Sequence, residues 1–425
     1  MTLTRRKFNL LGGATALSLG LSASAPALLA RARPKAVVIG GGAGGATAAR
    51  YIAKDSGGAI QVTLIEPTRR YYTCFFSNLY LGGFRSFQSL GHGYETLATR
   101  YGVNIVHDWA TAIDRDRREV ILGSGVRLAY DRLIVAPGIE LQFDSVPGYS
   151  LTAASLMPHA WKSGTQAQLL KARVHAMKAG GTFVMIPPPA PYRCPPGPYE
   201  RVSMIAHLFK RQNPDAKIIV LDPKPGFSKQ ALFMEGWEKH YPGMIEWIPP
   251  DVHGGVTRVD PESMTIETDL DSFNADAACI IPAQKAGAIA RTAGLTDASG
   301  WCPVEPATMQ SRLDENIHVI GDASIAAAMP KSAFAANSQA KSAAMAVRKA
   351  LIGARAYPAR YVNTCWSLIA PDDGVKVGAR YRPGAGRFEV MSKFISKPGE
   401  TQAMRRQTYQ ESLAWYASIT KDIFG

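Results

Sequence analysis

The run Lys35-Ala36-Val37-Val38-Ile39-Gly40-Gly41-Gly42-Ala43-Gly44-Gly45 constrains this chain more than any other. Four of its first five residues are apolar, three of them β-branched, and predict a buried parallel strand. The helical stretch from about 46 to 53 then follows after a turn built almost wholly of glycine. Gly40, Gly42 and Gly45 carry the spacing that lets backbone turn tightly and approach a phosphate at a helix N-terminus, with Ala43 between them. A second strand, 61–65, ends at Glu66, 21 residues past Gly45, where an acid takes the hydroxyls of a ribose. Strand, turn, helix and acid together predict a dinucleotide-binding unit.

Two later segments favour FAD over NAD at that unit. Asp131 to Gly138 reads as a strand that ends in a small-residue turn containing Ala136 and Gly138. Asn316 to Ala323 reads as another strand, ending in Gly321-Asp322 before a helix. Both resemble elements of the disulfide-reductase family of flavoproteins, which have two dinucleotide domains. That resemblance implies that Asp322 meets the ribityl or pyrophosphate region and that the next helix points its N-terminus at the flavin ring.

Residues 181–186, 199–211 and 217–222 repeat the strand–helix–strand order. Here the loop after the first strand is Pro187-Pro188-Pro189-Ala190-Pro191-Tyr192-Arg193-Cys194-Pro195-Pro196-Gly197-Pro198. Proline has no N–H to donate, so this loop cannot cradle a pyrophosphate. The unit keeps the architecture of a nicotinamide domain without its binding device. From about residue 359 the character changes again. The stretch 363–367 precedes expected strands around 375–377 and 388–390, and a helix is expected from about 401 to 424. The predicted fold is α/β, with two Rossmann-like dinucleotide-binding-type domains and a smaller C-terminal α+β domain. The expected bounds are 33–147 with 286–356 for the FAD domain, 148–285 for the second domain and 357–425 for the third.

The N-terminus, Thr4-Arg5-Arg6-Lys7-Phe8, precedes a short apolar stretch from Leu10 to about Leu21, the pattern of a twin-arginine export signal over 1–32. Cleavage after Ala27 or after Ala32 fits equally. That signal places the mature protein in the periplasm, after cofactor uptake in the cytoplasm. No later stretch has 18 uninterrupted apolar residues, so no permanent membrane anchor is expected. The net charge is +14 and stays basic without the leader. A basic surface favours an acidic partner or an anionic substrate. No arginine run interleaved with aromatics points to nucleic acid, and no metal site is predicted.

Five cysteines, 74, 194, 279, 302 and 365, would then sit where disulfides are allowed, and the odd count leaves one for another bond. Cys74 is open to two readings, a buried structural thiol or a covalent anchor for the cofactor. Sequence alone permits three pairings of the other four.

Tyr71-Tyr72-Thr73-Cys74, Tyr192 to Arg201, Gly300-Trp301-Cys302-Pro303-Val304 and Asn363-Thr364-Cys365 together resemble the flavoprotein subunit of flavocytochrome c sulfide dehydrogenase. The resemblance extends to the residues at 422–425. It implies FAD held through a thioether to Cys74, and a redox-active disulfide of Cys194 and Cys365 above the flavin, with Glu200 in the same pocket. Cys279 and Cys302 are left as a structural pair. Hydrosulfide is a nucleophile suited to splitting such a disulfide. Glu200 either manages a proton or pairs with an arginine such as Arg201. Lys331 either stabilises charge on the reduced flavin or is a solvated surface lysine. The chain has no Cys-x-x-Cys-His, so it cannot attach a c-type haem itself, and a separate cytochrome c subunit is the expected electron acceptor. The competing readings are a sulfide:quinone reductase and a flavin-bearing thiol carrier without turnover of its own.

Overall fold

The computed structural model describes residues 32–162 and 164–425; the predicted export signal lies almost wholly outside them. Lys35–Ile39 forms the expected strand, with every residue after Lys35 buried. It is flanked on both sides by parallel partners, Gln61–Ile65 and Arg132–Val135. The full sheet has six strands in the order 310–311, 314–319, 132–135, 35–39, 61–65, 104–106, all parallel except the first. Residues Val38, Leu64, Leu133 and Val135 have no solvent exposure. Burying each such side chain stabilises the sheet by about 1.5–3 kcal/mol. The helix Ala43–Ser56 packs against the helix Ala333–Ile352 through alanines on both and the glycines of the first. Small side chains let the two backbones come close, which brings both N-termini to the same end of the sheet.

The second domain repeats the pattern. Its four parallel strands run in the order Ile245–Ile248, Lys217–Leu221, Thr182–Ile186, Ala277–Ile280. The helix after Thr182–Ile186 begins at Gly197, two residues earlier than predicted. Pro198 sits in its first turn, where a missing N–H costs nothing.

The third region is an antiparallel sheet of Tyr361–Ala370, Asp373–Pro383 and Phe388–Ile395, followed by the helix Gln402–Phe424. Residues 363–367 were expected to precede the strands and instead lie inside the first of them. Eight of its ten residues are buried, so no in-out alternation marks it in the sequence. Thr401 caps the long helix by accepting from the Met404 N–H, a contact worth about 1 kcal/mol. The far end of that helix is tied to the first domain. Asp422 accepts from Tyr51 Oη at 2.8 Å and from Asn337 Nδ2 at 2.9 Å, and pairs with Lys341 at 2.7 Å. The Phe424 ring lies parallel to His92 with centroids 4.9 Å apart.

Candidate active site

A cavity of about 490 Å³ opens at the C-terminal ends of the first sheet's strands. Gly40, Gly42, Ala43, Glu66, Cys74, Ala136, Gly138, Gly321 and Asp322, the residues singled out in the sequence, all line it. Gly45 lies beneath, where a Cβ would come within 1.8 Å of the Gly40 carbonyl oxygen. Gly40 has φ +94°, and a Cβ there would meet the Ala136 oxygen at 2.4 Å. Both positions therefore admit only glycine. The helix Ala43–Ser56 has no side chain capping its N-terminus, so its first N–H groups face the cavity end unpartnered by any cap. Glu66 accepts from Gly41 N at 2.8 Å and from Thr68 Oγ1 at 2.7 Å. Asp322 approaches Arg193 with one oxygen at 3.6 Å, while its other, Oδ1, is buried with no partner. An orphaned buried carboxylate oxygen is costly unless a ligand hydroxyl meets it. Glycine floor, open helix end, acid and orphaned acceptor fit a dinucleotide with a hydroxylated chain.

A second cavity of about 90 Å³ adjoins the first, and both are lined by Cys74, Arg193, Ser332 and Ala333. The smaller one also contains Cys194, Cys365 and Glu200, walled by Phe334, Trp366 and Trp415. Cys194 stands on the loop before the helix Gly197–Gln212 at φ +56°. Its N–H donates to Lys331 O at 2.8 Å and its carbonyl accepts from Gly197 N at 2.8 Å. Cys365 is buried on the strand Tyr361–Ala370, and its sulfur accepts from Asn363 Nδ2 at 3.3 Å. All five cysteines are free thiols in this structure. Burial pushes both the Cys194 and the Cys365 thiols up, with the facing Glu200 adding to each.

Glu200 does not pair with Arg201. Its oxygens accept from Leu368 N at 2.9 Å and Asn78 Nδ2 at 2.8 Å. Arg201 reaches the far side of Asn78, donating to Oδ1 at 3.2 Å, and is otherwise surrounded by the carbonyls of His159 and Ala160. Burial is the main influence on the Glu200 carboxyl and raises it above the usual range. Lys331 is neither of the things expected of it. Its ammonium donates to the Asp322 and Ser324 carbonyls at 2.8 and 2.9 Å and sits 3.6 Å from the Trp301 ring centre, so it fastens the turn after Gly321 rather than lining the cavity. Burial lowers it to about 8. The implied pairing of Cys279 with Cys302 is absent. Cys279 lies against Arg201 Nη1 at 3.2 Å and the His159 carbonyl, whereas Cys302 sits in the short ladder with Ser324.

Asn78, Lys229 and Arg193 join the site without having been singled out in the sequence. Lys229, fully enclosed, donates to the Cys365 carbonyl at 3.1 Å and to Ser367 Oγ at 2.7 Å. Burial lowers its ammonium to about 8 against the pull of Cys365 and Glu200. A lysine between serine and glutamine carries no sequence signal of burial. Asn78, four residues after Cys74, was legible only as part of that segment.

The second nucleotide seat is filled from within. Asp222, at the end of its strand, is fully buried and accepts from Tyr199 Oη and from Trp247 Nε1 at 2.9 Å. It also pairs with Lys224 Nζ at 2.7 Å, and that ammonium caps the Pro188 carbonyl at 2.8 Å. Tyr199 stacks on Phe227 with centroids 3.6 Å apart. The proline loop therefore offers few N–H groups, those of Arg193 and Cys194 being bonded within the protein, and the space beside it holds the protein's own side chains.

Comparison with known proteins agrees with this geometry. The family model described as the central part of the sulfide dehydrogenase [flavocytochrome c] flavoprotein chain matches residues 167–282. That described as flavocytochrome c sulphide dehydrogenase, flavin-binding, matches 357–424. The pyridine nucleotide-disulphide oxidoreductase model matches 34–179. The sulfide dehydrogenase [flavocytochrome c] flavoprotein chain of Chlorobaculum thiosulfatiphilum is 50% identical over 44 residues, which is 10% of this chain and 90% of that sequence. The mitochondrial sulfide:quinone oxidoreductase of Mus musculus is 23% identical over 308 residues, 67% of this chain. The match spans only 64% of the mouse protein's own length. In fold, the sulfide:quinone oxidoreductase of Aquifex aeolicus superposes with a TM-score of 0.69 at 15% identity, covering 92% of each chain. With two of its own family models matched on either side of the cysteine cavity, and half the residues shared across nearly all of the Chlorobaculum sequence, this chain belongs to the flavoprotein chains of flavocytochrome c sulfide dehydrogenase.

Proposed function

We propose that this protein is an exported FAD enzyme that oxidises sulfide through Cys194 and Cys365 and passes the electrons to a c-type cytochrome subunit in the periplasm. One observation carries this reading: two cysteines from different domains line one small cavity that shares a wall with the dinucleotide cavity. FAD, when bound, supplies a two-electron acceptor that can return its electrons singly to a haem partner. Gly40, Gly42, Ala43 and Gly45 would seat its pyrophosphate, Glu66 its ribose, and Asp322 its hydroxylated chain.

The remaining chemistry belongs to the chain. Oxidised to a disulfide, Cys194 and Cys365 are the electrophile that hydrosulfide attacks, leaving a persulfide on one sulfur and a thiolate on the other. Aromatic walls keep bulk water from this exchange, and the enclosed basic groups Arg193 and Lys229 favour entry of a small anion. Glu200, held by Asn78 and Leu368 and raised by burial, is placed to hold a proton beside the sulfurs. Cys74, the one cysteine lining both cavities outside that pair, is the thioether anchor in this reading. Flavin is then expected to stay with the polypeptide on acid precipitation and to be released from the Cys74→Ser variant. Release from the unaltered protein would remove the covalent bond from the reading.

Likeness to sulfide:quinone oxidoreductases favours quinone as the second candidate acceptor. No helix among the described residues is long and apolar enough to cross a membrane. Sustained sulfide-dependent reduction of cytochrome c by the purified protein is the expected result. Turnover with a soluble quinone and none with cytochrome c would transfer the reading to quinone, and no turnover with either would favour a thiol carrier.

A further inference from the structure

We infer that the two sulfurs have fixed and unequal roles: Cys194 receives the incoming sulfur, and Cys365 leaves as the anion, held by Asn363 and backed by Lys229. This rests on the disulfide reading above and goes beyond it by assigning each sulfur.

The hydrogen-bond donors are distributed one-sidedly. Asn363, two residues before Cys365 and on the same face of its strand, aims Nδ2 at the Cys365 sulfur from 3.3 Å. Its amide is held in that orientation by Ser332. The Ser332 oxygen accepts from Ala335 N at 3.1 Å as the cap of the helix Ala333–Ile352, which leaves its hydroxyl proton for Asn363 Oδ1. On the other side, Lys229 delivers a buried ammonium onto the carbonyl of Cys365 itself and onto Ser367, both on the same strand. Lys229 holds φ +64° where its helix begins, a backbone setting uncommon for a residue with a side chain. Of the charged groups that face this buried cation, Cys365 acts on it most strongly, ahead of Glu200 and Cys194.

The Cys194 sulfur has no such hydrogen-bond donor, although Lys229 acts on it too. Pro195, Pro196 and Pro198 around it carry no N–H. Gly197 N is taken up by the Cys194 carbonyl and Cys194 N by the Lys331 carbonyl. No hydrogen bond reaches its sulfur among the described residues, while the Glu200 carboxylate faces the pair. An anion on Cys194 is therefore left without a hydrogen-bond donor of its own, while one on Cys365 has the Asn363 amide and lies on the residue whose carbonyl Lys229 grips.

Hydrosulfide sulfur bonds to Cys194 Sγ, the Cys194–Cys365 bond breaks, and its electron pair leaves on Cys365. The incoming sulfur is oxidised to the persulfide level and the disulfide is reduced, with the proton of hydrosulfide remaining on the persulfide.

Oxidised flavin-bearing protein is mixed anaerobically with sulfide, quenched with an alkylating agent and cut with trypsin. Cys194 opens the peptide 194–201, and Cys365 lies in 361–376. The expected result is one added sulfur atom beneath the alkyl group on 194–201 and plain alkylation on 361–376. Added sulfur on 361–376 instead overturns the assignment. Added sulfur on neither peptide overturns the disulfide reading, and the assignment with it. In flavin-retaining Asn363→Leu, the ratio of the two products is expected to shift toward 361–376 on the order of tenfold, the scale of one hydrogen bond to an ion, with a smaller shift in Lys229→Met. An unchanged ratio in Asn363→Leu overturns the part given to Asn363.

Discussion

Serine at either Cys194 or Cys365 is expected to leave a folded, yellow protein whose flavin sulfide no longer reduces. The fold tolerates both changes for different reasons. Cys194 stands partly exposed on a loop whose backbone is fixed by its own N–H and carbonyl contacts, so its side chain supports little packing. Cys365 is buried, yet a hydroxyl there keeps the Asn363 Nδ2 donor as partner and is only slightly smaller. Neither substitution touches the glycine turn, Glu66 or Asp322, so the cofactor stays. What would be lost, in the proposed function, is the sulfur–sulfur bond that hydrosulfide splits, and oxygen offers no substitute. Removing one member of a covalent pair that acts as a unit costs on the order of 10⁴-fold or more in rate, and losing the second adds little. Stopped-flow absorbance at the flavin band, with sulfide in excess, measures it. Reduction at the unaltered rate in either variant would end the disulfide reading.

Gly45→Ala is expected to yield protein without flavin and with a melting temperature lowered by several degrees, the effect of roughly 1–3 kcal/mol or more of overpacking. The added methyl carbon would sit 1.8 Å from the Gly40 oxygen and 3.0 Å from its carbonyl carbon, with Val38 at 3.3 Å. Gly40 cannot retreat. Its N–H is bonded to Ile65 O at 2.9 Å, and its φ of +94° already places it hard against Ala136. The helix Ala43–Ser56 must therefore lift from the strand or the turn must open, and either change spoils the phosphate seat. Gly57→Ala is the matched control, because that residue ends the same helix at φ +59° with nothing within 4 Å. It carries only the left-handed backbone penalty of about 1–2 kcal/mol and should keep its flavin. Measured flavin content and thermal melts of the two variants check the contrast. Full occupancy in Gly45→Ala would show that the turn has slack.

What could be read in advance follows from physics that is local in sequence. The strands at 35–39 and 61–65 appear where expected because short β-branched runs bounded by glycine or a charged residue have few other conformations. Glu66 and Asp322 were found because each follows such a strand. The strand Tyr361–Ala370 was not recognised, since its asparagine, threonine, serine and tryptophan show no alternation while both of its faces are covered. Cys194 and Cys365 meet through three-dimensional packing, and only resemblance brought them together in advance. Lys229, Asn78 and Arg193 became visible as site residues only with the fold, because nothing in a neighbouring residue announces that a polar side chain is enclosed. Lys331 was misplaced for the opposite reason: its position in sequence was informative, but the direction of its side chain was not.

Asp222 and its three side-chain donors bear on any attempt to drive this enzyme with NADH. Converting the prolines at 187–189 to glycine would supply amides but no room, because Lys224 already bridges the acid to the loop and Tyr199 lies flat on Phe227. A redesign would have to evict these occupants together, since shortening Lys224 alone strands a buried carboxylate and removing Asp222 alone strands an ammonium. In the proposed function, reducing equivalents therefore arrive at the cysteine cavity, and this second seat stays closed to a nicotinamide until all of its occupants are replaced.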